Sequence, residues 1–169
     1  MRNRIYQYYA EGQDEIRVLN VLKSELCCIQ SGKMDVFNAV QNRLTDARTR
    51  MLKNNTIVVL VYDTDVEKTD ILRENIQLLE NHPAVKEVVC IPQVRNLEEE
   101  LVRACQIRNA AQLTGSVSKK DFKRDLIRCA NLGDRLRNCG FNIDDFWAVQ
   151  PKNAFSDFKN GAEKIKKKI

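Results

Sequence analysis

The hydrophobic positions of this chain alternate between short continuous runs and the three- and four-residue spacing of a helix. The apolar or β-branched runs predict four strands, at residues 5–10, 26–29, 57–62 and 85–91. The helical spacing predicts four longer helices, around residues 14–22, 36–47, 72–79 and 97–105. Beyond residue 106 the strand patterns stop, and two short helices are expected at residues 122–129 and 132–137.

Strands that alternate with helices indicate parallel pairing through right-handed crossovers. The run at residues 57–62 is the most hydrophobic in the chain, as expected of a central strand covered on both faces. The predicted fold class is therefore α/β, with a mainly parallel four-stranded sheet flanked by helices. We expect one domain over residues 1–151, made of a core at about 5–113 and a helical appendage at about 114–151.

The composition is that of a globular protein, because 43% of the 169 residues are hydrophobic and 30% are charged. No apolar run is long enough to cross a membrane, and the first residues do not resemble a signal peptide, so a cytoplasmic location is expected. The six cysteines form no Cys-x-x-Cys pair and there is one histidine. They are therefore expected to be reduced residues of the core and not a zinc site.

The positive charge is concentrated in a lysine-rich tail at residues 152–169. Its six lysines stand against Asp157 and Glu163, which gives +4 of the total formal charge of +5. Such a tail holds phosphates by charge attraction, or it is simply a solvated, frayed terminus. The rest of the chain is almost neutral.

Acidic residues follow the predicted strands at several points. Glu11 follows the first strand and Glu15 lies one helical turn later, while Asp63 and Asp65 follow the third. The carboxyl ends of parallel strands share one edge of the sheet, where ligands bind in folds of this type. Carboxylates gathered there are costly unless a cation neutralises them, and Mg²⁺ or Mn²⁺ prefers such oxygen ligands. The pattern predicts one or two divalent ions at this edge.

Three further residues are candidates for the same site. Lys33, after the predicted second strand, could place its ammonium group against a phosphate, and Glu98, after the fourth, could add a metal ligand. Lys120 belongs to a basic helical face that could stabilise charge in a transition state. Each candidate also has a simpler explanation. Lys33 could be a solvated lysine in a turn, and Lys120 could belong to a salt-bridged surface. Glu15 and Glu98 could be acids that are favourable in the first turn of a helix.

Two motifs resemble those of the TOPRIM family. The segment Tyr8-Tyr9-Ala10-Glu11-Gly12 looks like its first motif, in which glutamate and glycine follow the first strand, and Tyr62-Asp63-Thr64-Asp65 looks like its Asp-x-Asp motif. The resemblance covers roughly residues 5–100 and implies a Rossmann-like TOPRIM fold that acts on nucleic-acid phosphodiesters. It implies that Glu11 is a general acid/base or metal-linked residue and that Asp63 and Asp65 are metal ligands. Glu15 matches an extra glutamate of the OLD-type nucleases in that family.

The chain departs from the larger TOPRIM enzymes. It lacks room for the tyrosine domain of a topoisomerase or the accessory modules of a primase, and it contains no Gly-x-x-x-x-Gly-Lys-Ser/Thr motif for the ATPase of OLD enzymes. A separate ATPase, another partner protein or a second copy of the chain therefore remain open as partners. The interpretation is a Mg²⁺-dependent nuclease that cuts DNA or RNA in defence or nucleic-acid processing.

Two alternatives to the nuclease remain. One is a non-catalytic TOPRIM-like subunit that binds nucleic acid or a partner. The other is a phosphatase of the haloacid-dehalogenase type, with Asp63 as nucleophile, Asp65 as acid, and Asp144 and Asp145 as a distant metal pair. The phosphatase ranks lower, because that class carries its nucleophile on the first strand.

Overall fold

A computed structural model describes residues 4–168 and contains four strands, seven α-helices and one 3₁₀ helix in that range. The strands are β1 (Ile5–Ala10), β2 (Lys33–Val36), β3 (Thr56–Asp63) and β4 (Val85–Gln93). The α-helices are α1 (Gln13–Ser24), α2 (Asp46–Arg50), α3 (Asp70–Glu80), α4 (Leu97–Ala104), α5 (Ala111–Thr114), α6 (Lys119–Arg128) and α7 (Leu132–Asn138). The 3₁₀ helix spans Ala162–Lys164.

The four strands form one parallel sheet in the order β2-β1-β3-β4. The expected α/β class, with a parallel four-stranded sheet flanked by helices, is confirmed, and the architecture is Rossmann-like. After β1 the chain crosses to β2 on one side, whereas after β3 it crosses to β4 on the other. The carboxyl ends of β1 and β3 therefore flank the topological switch point, called the crevice below, which is the place where ligands bind in sheets of this kind.

The two faces of the sheet bury two hydrophobic clusters, because successive strand residues point to opposite sides. Ile57, Val59 and Val61 of β3 pack with α1, α4, α6 and α7. Val58, Leu60 and Tyr62 face the other side, where they pack with α3. All eight residues of β3 are buried, as expected of the central strand. The helices beyond residue 114 thus share the first cluster with the sheet.

The second strand lies later in the chain than its predicted position. The apolar run at residues 26–29 follows α1 as irregular chain, and Ile29 makes one isolated antiparallel bridge with Lys166. The strand itself is Lys33–Val36, at the edge of the sheet, where all four residues are partly or fully exposed. An edge strand needs no continuous apolar run, which is why its sequence did not reveal it.

The helix predicted at residues 36–47 is also wrong. Most of this segment is a loop, and only the short α2 follows it. Buried Asn75 holds the loop: its Oδ1 accepts from the Leu44 amide at 2.8 Å, and its Nδ2 donates to the carbonyls of Ala39 and Asn42. These contacts replace the hydrogen bonds that a helix would have made. The buried Val40 and Leu44 pack against α3 from this loop.

The lysine-rich segment packs against the sheet, so the alternative of a frayed terminus is wrong for most of it. Phe155, Phe158 and Ile165 are buried, and the Gly161 amide donates to the Cys90 carbonyl of β4 at 2.8 Å. The side chain of Lys166 is only 5% exposed and pairs with Glu163 at 2.7 Å.

Candidate active site

Glu11 and Asp63 meet in the crevice between the ends of β1 and β3. Glu11 is the first residue after β1, and Asp63 is the last residue of β3. The Glu11 carboxylate Oε2 accepts a hydrogen bond from the Asp63 amide at 3.2 Å. The expected proximity of these two acids is therefore confirmed, while their chemical roles stay a prediction.

Asp63 is almost fully enclosed. Its Oδ1 accepts a hydrogen bond of 2.7 Å from the side-chain amide of Gln93, the residue that pairs with it in β4. Burial raises the pKa of Asp63 to about 8, and the negative charges of Glu11 and Asp65 add to this effect, while the Gln93 hydrogen bond and Lys123 oppose it. A negative charge on Asp63 is therefore costly unless a cation accompanies it.

The first turn of α1 adds two more buried carboxyl groups. Glu15 is 2% exposed and Asp14 is 4% exposed, and within residues 4–168 neither Asp14 Oδ2 nor Glu15 Oε2 has a partner at hydrogen-bond distance. Burial raises the pKa of Glu15 to about 9, helped by a hydrogen bond to Asp14 and by the charges of Asp14 and Asp63. A favourable position at a helix N-terminus, worth about 0.3–1 kcal/mol, does not explain so enclosed an acid.

The other predicted acids border this group. Asp65 is exposed, and its charge raises the pKa of Asp63 and, after the larger effect of burial, that of Glu11. Glu98 lies half-buried in the first turn of α4. It is close enough to Lys123 for its charge to raise the pKa of that lysine.

The lysine that reaches the acids is Lys123, one helical turn beyond the predicted Lys120. Lys123 Nζ lies 3.6 Å from Asp14 Oδ2, whereas Lys120 is exposed on α6. Partial burial lowers the pKa of Lys123, but the nearby carboxylates, Asp14 and Glu98 foremost, outweigh it and raise the pKa. Lys123 therefore supplies positive charge at the acidic group.

Lys33 does not lie at the predicted position. It begins β2 instead of following a strand, and it pairs in register with Gln7, three residues before β1 ends. Its ammonium group lies 3.2 Å from Asp35. Lys33 therefore lies toward the amino ends of the strands, away from the crevice, because the second strand begins later than its hydrophobic pattern suggested.

The donor chemistry of the crevice fits a hard divalent ion. Its ligands would be carboxylate oxygens, and one of them, Glu15 Oε2, is buried without a hydrogen-bond partner among the described residues. The side chains of Asp14 and Glu15 fold closely over Gly12, where an added Cβ would lie 2.6 Å from Asp14 Oδ1 and 3.0 Å from Glu15 Oε2. Across the described part of the chain, no three His, Cys, Asp or Glu side chains already surround one point as ligands. Side-chain rotation would have to complete a metal site.

The arrangement does not favour the phosphatase alternative. Asp144 and Asp145 are exposed, and their hydrogen-bond partners are Asn142 and Lys166. Neither is among the charges that perturb Asp63, which come from Glu11, Asp65 and Lys123.

Sequence reasoning missed Asp14 and the contact between Gln93 and Asp63, and it chose Lys120 instead of Lys123 from the same basic helical face. Asp14 lies beside the candidate Glu15 in the first turn of α1, where acids are common. Lys123 adjoins Phe122, which with Leu126 is buried and defines the inward face of α6. Once α6 is known to pack on α1, this burial pattern favours Lys123 over Lys120 as the lysine that lies near the acids.

No protein-family model, curated protein or solved structure matches this chain. The resemblance to TOPRIM proteins therefore rests on the two motifs around Glu11 and Asp63 alone. Among residues 4–168, no helix has the length and apolar character needed to cross a membrane. The six cysteines are free thiols, and Cys28 and Cys105 are buried, whereas Cys27, which was expected in the core, is exposed.

Proposed function

We propose that this protein is a Mg²⁺- or Mn²⁺-dependent nuclease that hydrolyses phosphodiesters in DNA or RNA. The observation that carries the proposal is the contact between Glu11 and Asp63 at the topological switch point, beside the buried Glu15, whose pKa is raised. Such perturbed carboxyl groups in a crevice are typical of functional sites. The TOPRIM-like motifs, which supply these same two residues, support the choice of substrate.

In this proposal Glu11, Asp63 and the exposed Asp65 hold the ion, and Glu15 and Glu98 complete its surroundings. A bound divalent ion would activate water and neutralise charge on a phosphodiester. Lys123 would attract the phosphate group, and Glu11, whose pKa is raised mainly by burial, would be the residue placed to exchange a proton.

A second candidate function is a binding subunit without turnover. The observation that favours it is the absence of a preformed ligand cluster within residues 4–168, because catalysis requires ligands held close to their working geometry. In that case a partner such as a separate ATPase, or a second copy of the chain, would complete the site. A cytoplasmic location belongs to the same proposal, in keeping with the free thiols.

The test is cleavage of plasmid DNA and of structured RNA by the purified protein with Mg²⁺, Mn²⁺ or a chelator. We expect cleavage with either ion and none with the chelator. Asp63→Asn and Glu11→Gln should abolish it, whereas Glu67→Gln, which removes an exposed acid from the loop after β3, should not. Calorimetric titration with Mn²⁺ separates the two functions: binding without cleavage indicates the subunit, and cleavage in the chelator contradicts a metal-dependent enzyme.

A further inference from the structure

The side-chain amide of Gln93 has a fixed orientation between two partners. Gln93 is fully buried; its Nε2 donates to Asp63 Oδ1 at 2.7 Å, and its Oε1 accepts from the indole Nε1 of Trp147 at 3.3 Å. An indole N–H only donates, so the amide oxygen must face Trp147. The amide nitrogen must then face Asp63.

Trp147 is itself held in an unusual backbone conformation. Its φ of 56° lies in the left-handed region, which costs a residue with a Cβ roughly 1–2 kcal/mol. Two contacts stabilise it: the Trp147 amide donates to Glu100 Oε2 at 3.0 Å, and its carbonyl accepts from Asn160 Nδ2 at 2.7 Å. Strained residues held in this way occur most often where position matters for function.

Glu100 anchors this arrangement to the scaffold. It is fully buried, and its other oxygen accepts from the Val94 amide at 2.8 Å and pairs with Arg103 at 2.7 Å. Unlike Glu15, Glu100 therefore has partners for both oxygens. The contacts run without a break from Glu100 through Trp147 and Gln93 to Asp63.

We propose that Gln93 and Trp147 are positioning residues for Asp63. Gln93 occupies Oδ1 and turns Oδ2 toward the crevice, and Trp147 prevents the Gln93 amide from rotating. A rotated amide would set two oxygens, Gln93 Oε1 and Asp63 Oδ1, against each other at hydrogen-bond distance. This inference rests on the proposed function, in which the ligand of Asp63 is Mg²⁺ or Mn²⁺.

Variants at Gln93 test the proposal through metal affinity. Gln93→Met keeps the length of the side chain but removes both hydrogen bonds, and Gln93→Glu keeps the acceptor for Trp147 but replaces the donor to Asp63. Loss of a group that orients a metal ligand typically weakens metal binding about 10- to 100-fold. We expect a loss of that order for both variants and a smaller one for Trp147→Phe, measured by Mn²⁺ calorimetry.

The matched control is Gln7→Met. Gln7 is also a buried strand glutamine whose Nε2 donates to a carboxylate, Asp35, at 2.9 Å, but it lies away from the crevice. It should bind Mn²⁺ as the wild type does. Circular dichroism and urea denaturation of each variant show whether its fold is intact.

Trp147 provides a second readout that needs no substitution, because it is the one tryptophan in the sequence. Its indole N–H gives one resonance in a ¹H–¹⁵N spectrum. Mg²⁺ should shift this resonance in the wild type and in Gln7→Met, but not in Asp63→Asn, which lacks the ligand. A merely structural Trp147 would not respond to the ion.

The outcomes separate this proposal from the proposed function. If the wild type binds Mn²⁺ and the folded Gln93 variants bind it equally well, or if bound Mg²⁺ leaves the indole resonance unmoved, the positioning role is wrong and the metal site stands. If the wild type binds neither ion, both proposals are wrong.

Discussion

Glu15→Gln is expected to stabilise the protein when no divalent ion is present. Glu15 is buried, one of its oxygens has no hydrogen-bond donor in the described chain, and its pKa rises from an ordinary 4.5 to about 9. Burial is the main cause, followed by the hydrogen bond to Asp14 and repulsion from Asp14 and Asp63. Glutamine keeps the shape of the side chain but needs no proton.

The direction of the effect follows from the two pKa values. A carboxyl group whose pKa is higher when folded stabilises the fold fully below pH 4.5, and this stabilisation is lost as the pH rises toward 9. At pH 7 the loss is about 3 kcal/mol, at ~1.36 kcal/mol for each pH unit. Glu15→Gln should therefore raise the free energy of unfolding by about 3 kcal/mol at pH 7, which corresponds to a rise of about 6–12 °C in Tm. Near pH 4 the substitution should not change the stability.

The assay is urea denaturation with a chelator at about pH 4, 7 and 9, repeated with saturating Mg²⁺. With the ion, the advantage of Glu15→Gln should shrink, because binding stabilises the wild type more. The matched control is Glu100→Gln, since Glu100 is equally buried but fully paired. That substitution should destabilise the fold, by about 3 kcal/mol. If Glu15→Gln is less stable than the wild type at pH 7 in the presence of the chelator, the reasoning is refuted.

Three further predictions concern other parts of the structure. Lys123→Ala should lower the free energy of unfolding, measured by urea denaturation, by less than ~1 kcal/mol, because the pair of Lys123 with Asp14 is partly solvated. Lys120→Ala should leave this free energy unchanged. Gly12→Ala should weaken Mn²⁺ binding in calorimetry, because its Cβ would lie 3.0 Å from Glu15 Oε2, which belongs to the proposed metal site; unchanged affinity would contradict the crowding argument. Phe155→Ala should lower the urea stability by about 3–5 kcal/mol, since Phe155 is fully buried; a loss below ~1 kcal/mol would mean that its segment is not docked.

The central part of the fold follows from local patterns. The apolar run of β3 and the helical spacing in α1, α3 and α4 reflect burial against the same sheet, which leaves its period in the sequence. The second strand left no such trace, because Lys33–Val36 at the sheet edge is defined by backbone pairing with β1. The loop before α2 depends on Asn75, a residue some thirty positions away, and no local pattern reveals that contact.

The candidate site divides in the same way. Glu11 and Asp63 were predictable because each follows a strand, and parallel strands bring their ends together. Lys123 depends on how α6 packs against α1, and the Gln93 contact depends on the register of β4 with β3, in which Asp63 pairs with Gln93. Both are consequences of tertiary packing. The left-handed backbone of Trp147 likewise leaves no pattern in the local sequence.

The segment around Gly161 has a consequence for how this molecule meets its own copies. β4 forms one border of the sheet, and a strand of nine residues there could recruit a strand from another molecule. The Gly161 amide already occupies the Cys90 carbonyl, and Phe158, buried beside it, keeps the segment in place. The lysine-rich segment thereby shields this border and opposes pairing of the protein into intermolecular sheets, whatever the crevice at the carboxyl ends of the strands binds.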